Sequence, residues 1–155
     1  RRLIKMSKLV AYFSAEFGKT EKIAKDLAEN KGADLFEIKP EKPYSKSELN
    51  YKNPLARCNR EKLTNKDVPI ADTVTGWDSY ETVYLGFPIW YFGAPNVINT
   101  FCNAYDWSGK KVYIFATSGS SGIGKTSEKL EKHMGGATIV DAKRVTDIEE
   151  LANWE

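Results

Sequence analysis

Three short stretches hold the residue types that could do chemistry, and each follows the end of an apolar run. The first, Ser14-Ala15-Glu16-Phe17-Gly18-Lys19-Thr20, sets hydroxyls and a glycine ahead of a helical pattern. Backbone N–H groups at a helix start point outward and the helix dipole favours negative charge, so this stretch suits a phosphate. It suits equally a turn at Gly18 with Thr20 as a simple helix cap. The second, Gly86-Phe87-Pro88-Ile89-Trp90-Tyr91-Phe92-Gly93-Ala94-Pro95, holds three aromatics between two prolines. Aromatics on a stiff loop are costly to expose unless they meet a flat ligand or a partner, or, as Phe92 could, pack beneath another segment. The third, Thr117-Ser118-Gly119-Ser120-Ser121-Gly122-Ile123-Gly124, lets backbone amides come close to a ligand and adds hydroxyl groups. Without a ligand it is a flexible loop. Taken jointly, a phosphate cradle, an aromatic loop and an amide-rich loop describe a site for a planar ring with a phosphorylated tail.

Other chemistries fit less of the chain. Gly119-Ser120-Ser121-Gly122-Ile123-Gly124-Lys125-Thr126 matches the nucleotide-binding pattern G-x-x-x-x-G-K-[ST] between a strand and a helix, with Ile139-Val140-Asp141 as a conceivable metal-binding strand end. Fewer than thirty residues follow Thr126, too few for the rest of a nucleotide-hydrolysing sheet, and the other two loops would have no purpose. Cys58 and Cys102 stand in neither metal nor redox spacing, and Cys102 falls in a helical apolar pattern as a small core residue. His133 is the only histidine, near a helix end, so a Ser-His-Asp or Cys-His site has a single candidate base. A net charge of +2, dispersed along the chain, does not suggest a nucleic-acid partner. No apolar run approaches the ~20 residues that cross a bilayer. Arg1-Arg2-Leu3-Ile4-Lys5-Met6 has basic residues but no apolar run behind them, which makes the cytoplasm the expected address. Residues 1–5 are read either as native or as an addition before a start at Met6.

The elements that must position these loops alternate. Strands are expected at Lys8–Phe13, Asp34–Ile38, Thr82–Phe87, Lys111–Ala116 and Ala137–Val140, several almost continuously apolar, as strands covered on both faces should be. Between them run helical stripes: Ile23, Ala24, Leu27 and Ala28; then Val97, Ile98, Phe101 and Cys102, with Pro95 in a first turn; then Leu130 and Met134, stopping at Gly135-Gly136. Thr146-Asp147-Ile148-Glu149 reads as a capping box opening a last helix that carries Leu151 and Trp154. Alternating strands and helices imply a parallel sheet with right-handed crossovers in one domain over residues 1–155. One connection is abnormal: Pro40 to Glu81 spans about forty residues where a handful plus a helix is usual. It is expected either to cover a ligand or to form an irregular surface crossover, with Asn53-Pro54 opening a short helix over Leu55–Leu63.

The three loops, in this order, resemble the flavodoxin-like family, particularly its bacterial branch with G-F-P-I-W and A-T-S-G-x-S-G-x-G segments, over Ser7 to Trp154. The resemblance implies a doubly wound five-stranded parallel sheet in order 2-1-3-4-5, helices on both faces, and one FMN at its carboxyl edge. By the same resemblance Ser14, Ala15, Gly18, Lys19 and Thr20 would take the phosphate. Pro88, Ile89, Trp90 and Tyr91 would flank the isoalloxazine and ribityl chain, and Thr117, Ser118, Gly119, Ser120 and Gly122 would bond the ring edge. The family's phosphate loop usually reads S/T-x-S/T-G-x-T, and this one carries an extra residue at Glu16-Phe17. Dedicated carriers of the family are typically acidic and stack an aromatic from the loop after strand four. Here the pI is about 8.4 and Ser118–Gly124 holds no aromatic. The implied function is electron transfer through a bound flavin, which supplies the redox chemistry while the protein binds and tunes it. The partner would be a redox protein or a small-molecule donor or acceptor. A reductase with one open flavin face and a module binding another nucleotide are the alternatives.

Overall fold

The computed structural model of the chain describes residues 7–14, 19–40, 70–89, 94–117, 126–145, 148–151 and 154. Five strands form one sheet: β1 (Ser7–Tyr12), β2 (Asp34–Glu37), β3 (Tyr80–Pro88), β4 (Lys111–Thr117) and β5 (Thr138–Arg144). All neighbours pair in parallel, in the order β2-β1-β3-β4-β5. The sheet order expected from the sequence is therefore the observed one. The described helices are α1 (Lys19–Lys31), α2 (Asn96–Asn103) and α3 (Thr126–Glu131).

Both faces of the central strands are covered, which is why β3 is buried without a break from Thr82 to Phe87. Side chains alternate across each strand, so each face collects its own set. Leu9, Val83, Leu85, Val112 and Ile114 face Val97, Ile98, Phe101 and Cys102 of α2 and Leu130 of α3. Val10, Tyr12, Tyr84, Tyr113 and Phe115 face Ile23, Ala24, Leu27 and Ala28 of α1, together with Leu151 and Trp154. The α1 stripe is as the 3.6-residue period predicts, and burying Ile23 and Leu27 is worth about 1.5–3 kcal/mol each. Cys102 is fully buried, with its thiol pushed up from the ordinary value by burial, and serves as a core residue.

Several boundaries differ from expectation, each for a local reason. β5 runs to Arg144 although Asp141, Lys143 and Arg144 are polar, because an edge strand needs only a backbone ladder, here to Ala116. Ile139 pairs with Val112 and Asp141 with Tyr113, so Val140 is an extra residue in a bulge and stands 46% exposed. The bulge breaks the alternation on which the strand's expected end was based. Similarly, β3 begins at Tyr80, with Glu81 the extra residue between Tyr80 and Thr82. Helix α3 stops at Glu131, before Met134. The chain then tightens, with the His133 amide donating to the Leu130 carbonyl (2.8 Å) and the Met134 amide to the Glu131 carbonyl (3.1 Å), so Met134 still reaches the core. Pro95 lies just ahead of α2 rather than in its first turn. The end of the chain contributes a 3-10 turn at Ile148–Leu151, while the expected cap at Thr146-Asp147 lies outside the described residues.

Residues 41–69 of the long connection, including its expected short helix, also lie outside the described residues. Its two ends meet: Pro40 and Ile70 form an antiparallel bridge, and the Ala71 amide donates to the Lys39 carbonyl at 2.7 Å. The segment therefore leaves and re-enters beside the carboxyl end of β2. From there the chain passes through a 3-10 turn, Trp77–Ser79, into β3.

Candidate binding site at the carboxyl edge of the sheet

The chain steps outward from β1 to β2, then returns to place β3 on the other side of β1. That reversal makes the carboxyl ends of β1 and β3 the switch point of the sheet, the position at which open α/β sheets bind ligands. Backbone bonds lock the strand ends around it. The Phe13 amide donates to the Gly86 carbonyl at 2.9 Å, and the Ile89 amide donates to the Thr117 carbonyl at 2.9 Å. Pro88 is the last residue of β3 and lies in register with Thr117. Proline is tolerated there because the ladder ends with it.

Two hydroxyl residues shape the start of α1. Ser14 Oγ accepts the Glu21 amide at 3.2 Å and so satisfies one of the first-turn N–H groups, the role of a cap. Thr20 does not cap. It lies inside α1, only 2% exposed, with its Oγ1 2.7 Å from Thr117 Oγ1 at the end of β4. Glu21 carries an acidic group in the first turn, where the helix dipole favours it. Its carboxylate accepts the buried Tyr12 hydroxyl at 3.3 Å and lies 3.7 Å from Lys25. Burial first, then the charges of Glu37 and Glu21, push the Tyr12 phenol well above its ordinary value.

Of the residues singled out in the sequence, the structure thus brings Ser14, Thr20, Pro88, Ile89 and Thr117 to one edge of the sheet. Lys19 opens α1 there. Ala15, Gly18, Trp90, Tyr91, Ser118, Gly119, Ser120 and Gly122 lie outside the described residues, as do Phe92, Lys125 and Cys58. Two features were missed. Gly86 sits in β3 directly beside Phe115 of β4, where a Cβ would overlap the Phe115 ring. A glycine within an apolar strand was the available signal of such close approach. The Tyr12–Glu21 bond had no sequence signal, since nothing in the spacing places a strand residue beside that helix turn. Among the described residues no group of three or more His, Cys, Asp or Glu could hold a metal ion. No described helix is long and apolar enough to cross a membrane.

A parallel 2-1-3-4-5 sheet with its switch point between the ends of β1 and β3 defines the flavodoxin-like class of doubly wound α/β folds. A family model described as flavodoxin matches residues 7–155, and the chain belongs to the flavodoxin family. A flavoprotein structure from Bacteroides eggerthii is 34% identical, superposes with a TM-score of 0.87, and is matched over 96% of this chain and 94% of its own. One from Bacteroides uniformis is likewise 34% identical, with a TM-score of 0.87 and 96% of each chain covered. A Lactobacillus acidophilus flavoprotein solved in complex with FMN is 19% identical, with a TM-score of 0.71 over 97% of this chain and 99% of that one, a likeness of fold. The comparison with curated proteins found no match.

Proposed function

We propose that the chain binds one FMN without a covalent bond at this edge and passes electrons through it. One observation carries the reading: Ser14 and Thr20 at the start of α1 converge with Thr117 at the end of β4, at the edge where the strand order reverses. Hydroxyls and helix-start amides are a donor set for a phosphate, and the residues present fit that group. The family and the FMN held by the Lactobacillus acidophilus protein of the same fold support FMN over another phosphorylated ring.

In this reading Ser14, Thr20 and the amides ahead of Glu21 hold the phosphate, with Ala15, Gly18 and Lys19 completing the loop. Pro88, Ile89, Trp90 and Tyr91 line the ring and ribityl chain, while Ser118, Gly119, Ser120 and Gly122 offer donors to the ring edge. The flavin supplies the electron transfer, and the chain binds it, orients it and excludes water from the face it covers. Its partner is a redox protein or a small-molecule donor or acceptor.

A second reading is favoured by one observation. The Ser118–Gly124 loop has no aromatic to cover the ring, which suits a reductase that leaves one flavin face open to a hydride donor or acceptor. Titration with FMN and with riboflavin tests the common part. FMN is expected to bind at least about tenfold more tightly, because only it brings the charged acceptor that the α1 loop is built to meet. Equal affinities would remove the phosphate assignment.

A further inference from the structure

Two hydroxyls 97 residues apart in the sequence meet inside the site. Thr20 is 2% and Thr117 4% exposed, and their Oγ1 atoms are 2.7 Å apart. Each hydroxyl has one proton to give and can accept two bonds. A single bond between them uses one proton, so the second needs an acceptor of its own, and a buried donor without one is unfavourable. Among the described residues, neither hydroxyl makes another side-chain hydrogen bond. Thr117 is tied elsewhere as well: its carbonyl accepts the Ile89 amide at 2.9 Å and its backbone is in register with Pro88. One residue therefore touches the start of α1 and the loop after β3, and it opens the loop after β4.

We infer that Thr117 is a positioning residue for the phosphate rather than a ligand of the ring edge. Its hydroxyl donates to Thr20 Oγ1, which leaves the Thr20 proton to donate to a phosphate oxygen. The direction follows from chemistry. A phosphate anion accepts bonds, and Thr20 is the member of the pair in the first turn of α1, where the dipole collects negative charge. A hydroxyl that donates to an anion becomes a better acceptor, so the two bonds strengthen one another. The inference rests on the FMN reading above and replaces, for Thr117 alone, the ring-edge role implied by the family resemblance.

The test is the ratio of FMN to riboflavin affinity. Thr117→Val keeps the branched shape and removes the hydroxyl. It is expected to weaken FMN by about threefold, because the Thr20–phosphate bond persists but loses the neutral bond that orients and polarises it, and to leave riboflavin affinity unchanged. Thr117→Ser restores the ratio, and Thr20→Val, which removes the phosphate bond itself, lowers it further, by about tenfold. The double variant loses no more than Thr20→Val alone, as expected of a residue that acts only through Thr20. Thr117→Cys, close in size with a weak S–H donor, gives an intermediate ratio and keeps the test available if the valine variant does not fold. An equal loss for both flavins would overturn the inference in favour of a ring contact. A lowered melting temperature with an unchanged ratio would overturn it in favour of a purely structural pair. Either result leaves the FMN reading of the wild-type protein standing, whereas a wild-type protein that binds neither flavin overturns the functional reading and this inference together.

Discussion

Gly86 has no side chain because the Phe115 ring occupies the space where one would sit. Phe115 is fully buried between β4 and α1, so its ring has nowhere to retreat. Gly86→Ala is therefore expected to cost about 1–3 kcal/mol, the usual range for overpacking a filled core, read as a lower urea midpoint with the m-value unchanged. Gly86→Ala combined with Phe115→Leu should recover part of that loss, since the smaller side chain vacates the overlap. The position also matters to the site, because the Gly86 carbonyl accepts the Phe13 amide just before the loop that leads to α1. Strain introduced at Gly86 thus acts on the end of β1 as well as on β3.

At the level of elements, the α1 face is completed by the end of the chain. The Trp154 ring lies 4.9 Å from Tyr113 and 6.1 Å from Tyr84, and those two tyrosines stack at 5.1 Å. Its indole N–H donates to the Asp141 carboxylate at 2.9 Å, and its carbonyl accepts the Lys31 ammonium at the end of α1. Asp141 reaches that position because the bulge at Val140 turns the strand there. Trp154→Ala should cost about 3–5 kcal/mol, the range for deleting a buried aromatic, whereas Trp154→Phe should lose only about 1 kcal/mol with its hydrogen bond. Chemical denaturation of the two variants separates packing from the polar link. The opposite face is closed by Trp77, whose ring meets Tyr105 at 4.5 Å and Trp107 at 4.7 Å.

Across the whole molecule, alkaline pH sets two opposing trends. Tyr80 is pushed up to about 12 from 10.0, first by burial and then by its 2.6 Å bond to Asp34. Tyr12 is raised as well. A raised folded value favours the neutral phenol, so this stability is complete below pH 10.0 and is lost as pH climbs through about 12. Lys110 runs the other way. Its ammonium is buried over the Trp77 ring and donates to the Trp77 and Tyr80 carbonyls, and burial holds it below its ordinary 10.5. The unfolded chain then holds that proton longer, so the lysine's contribution improves as pH rises toward 10.5. Stability is expected to hold to that point and then fall. Tyr80→Phe should flatten the fall, measured as urea midpoints at about pH 9 and about pH 11.

Read by itself, the order of residues determined the strands and the helical stripes, each from a local regularity, while the sheet order came only through the resemblance of the three loops to a known family. Strands with both faces covered are continuously apolar, as at Val83–Phe87, and a helix against a sheet shows its stripe every three to four residues, as at Ile23, Ala24, Leu27 and Ala28. The extent of β5 was not legible, because an edge strand is held by its backbone ladder and the Val140 bulge erases the alternation. Nor were the partners of the site residues. That Ser14 caps Glu21, that Thr20 turns away from capping to meet Thr117, and that Gly86 lies under Phe115 all depend on distances between residues that the fold brings together. Composition and spacing name the groups able to donate and accept, and only the packed sheet decides which of them come within reach.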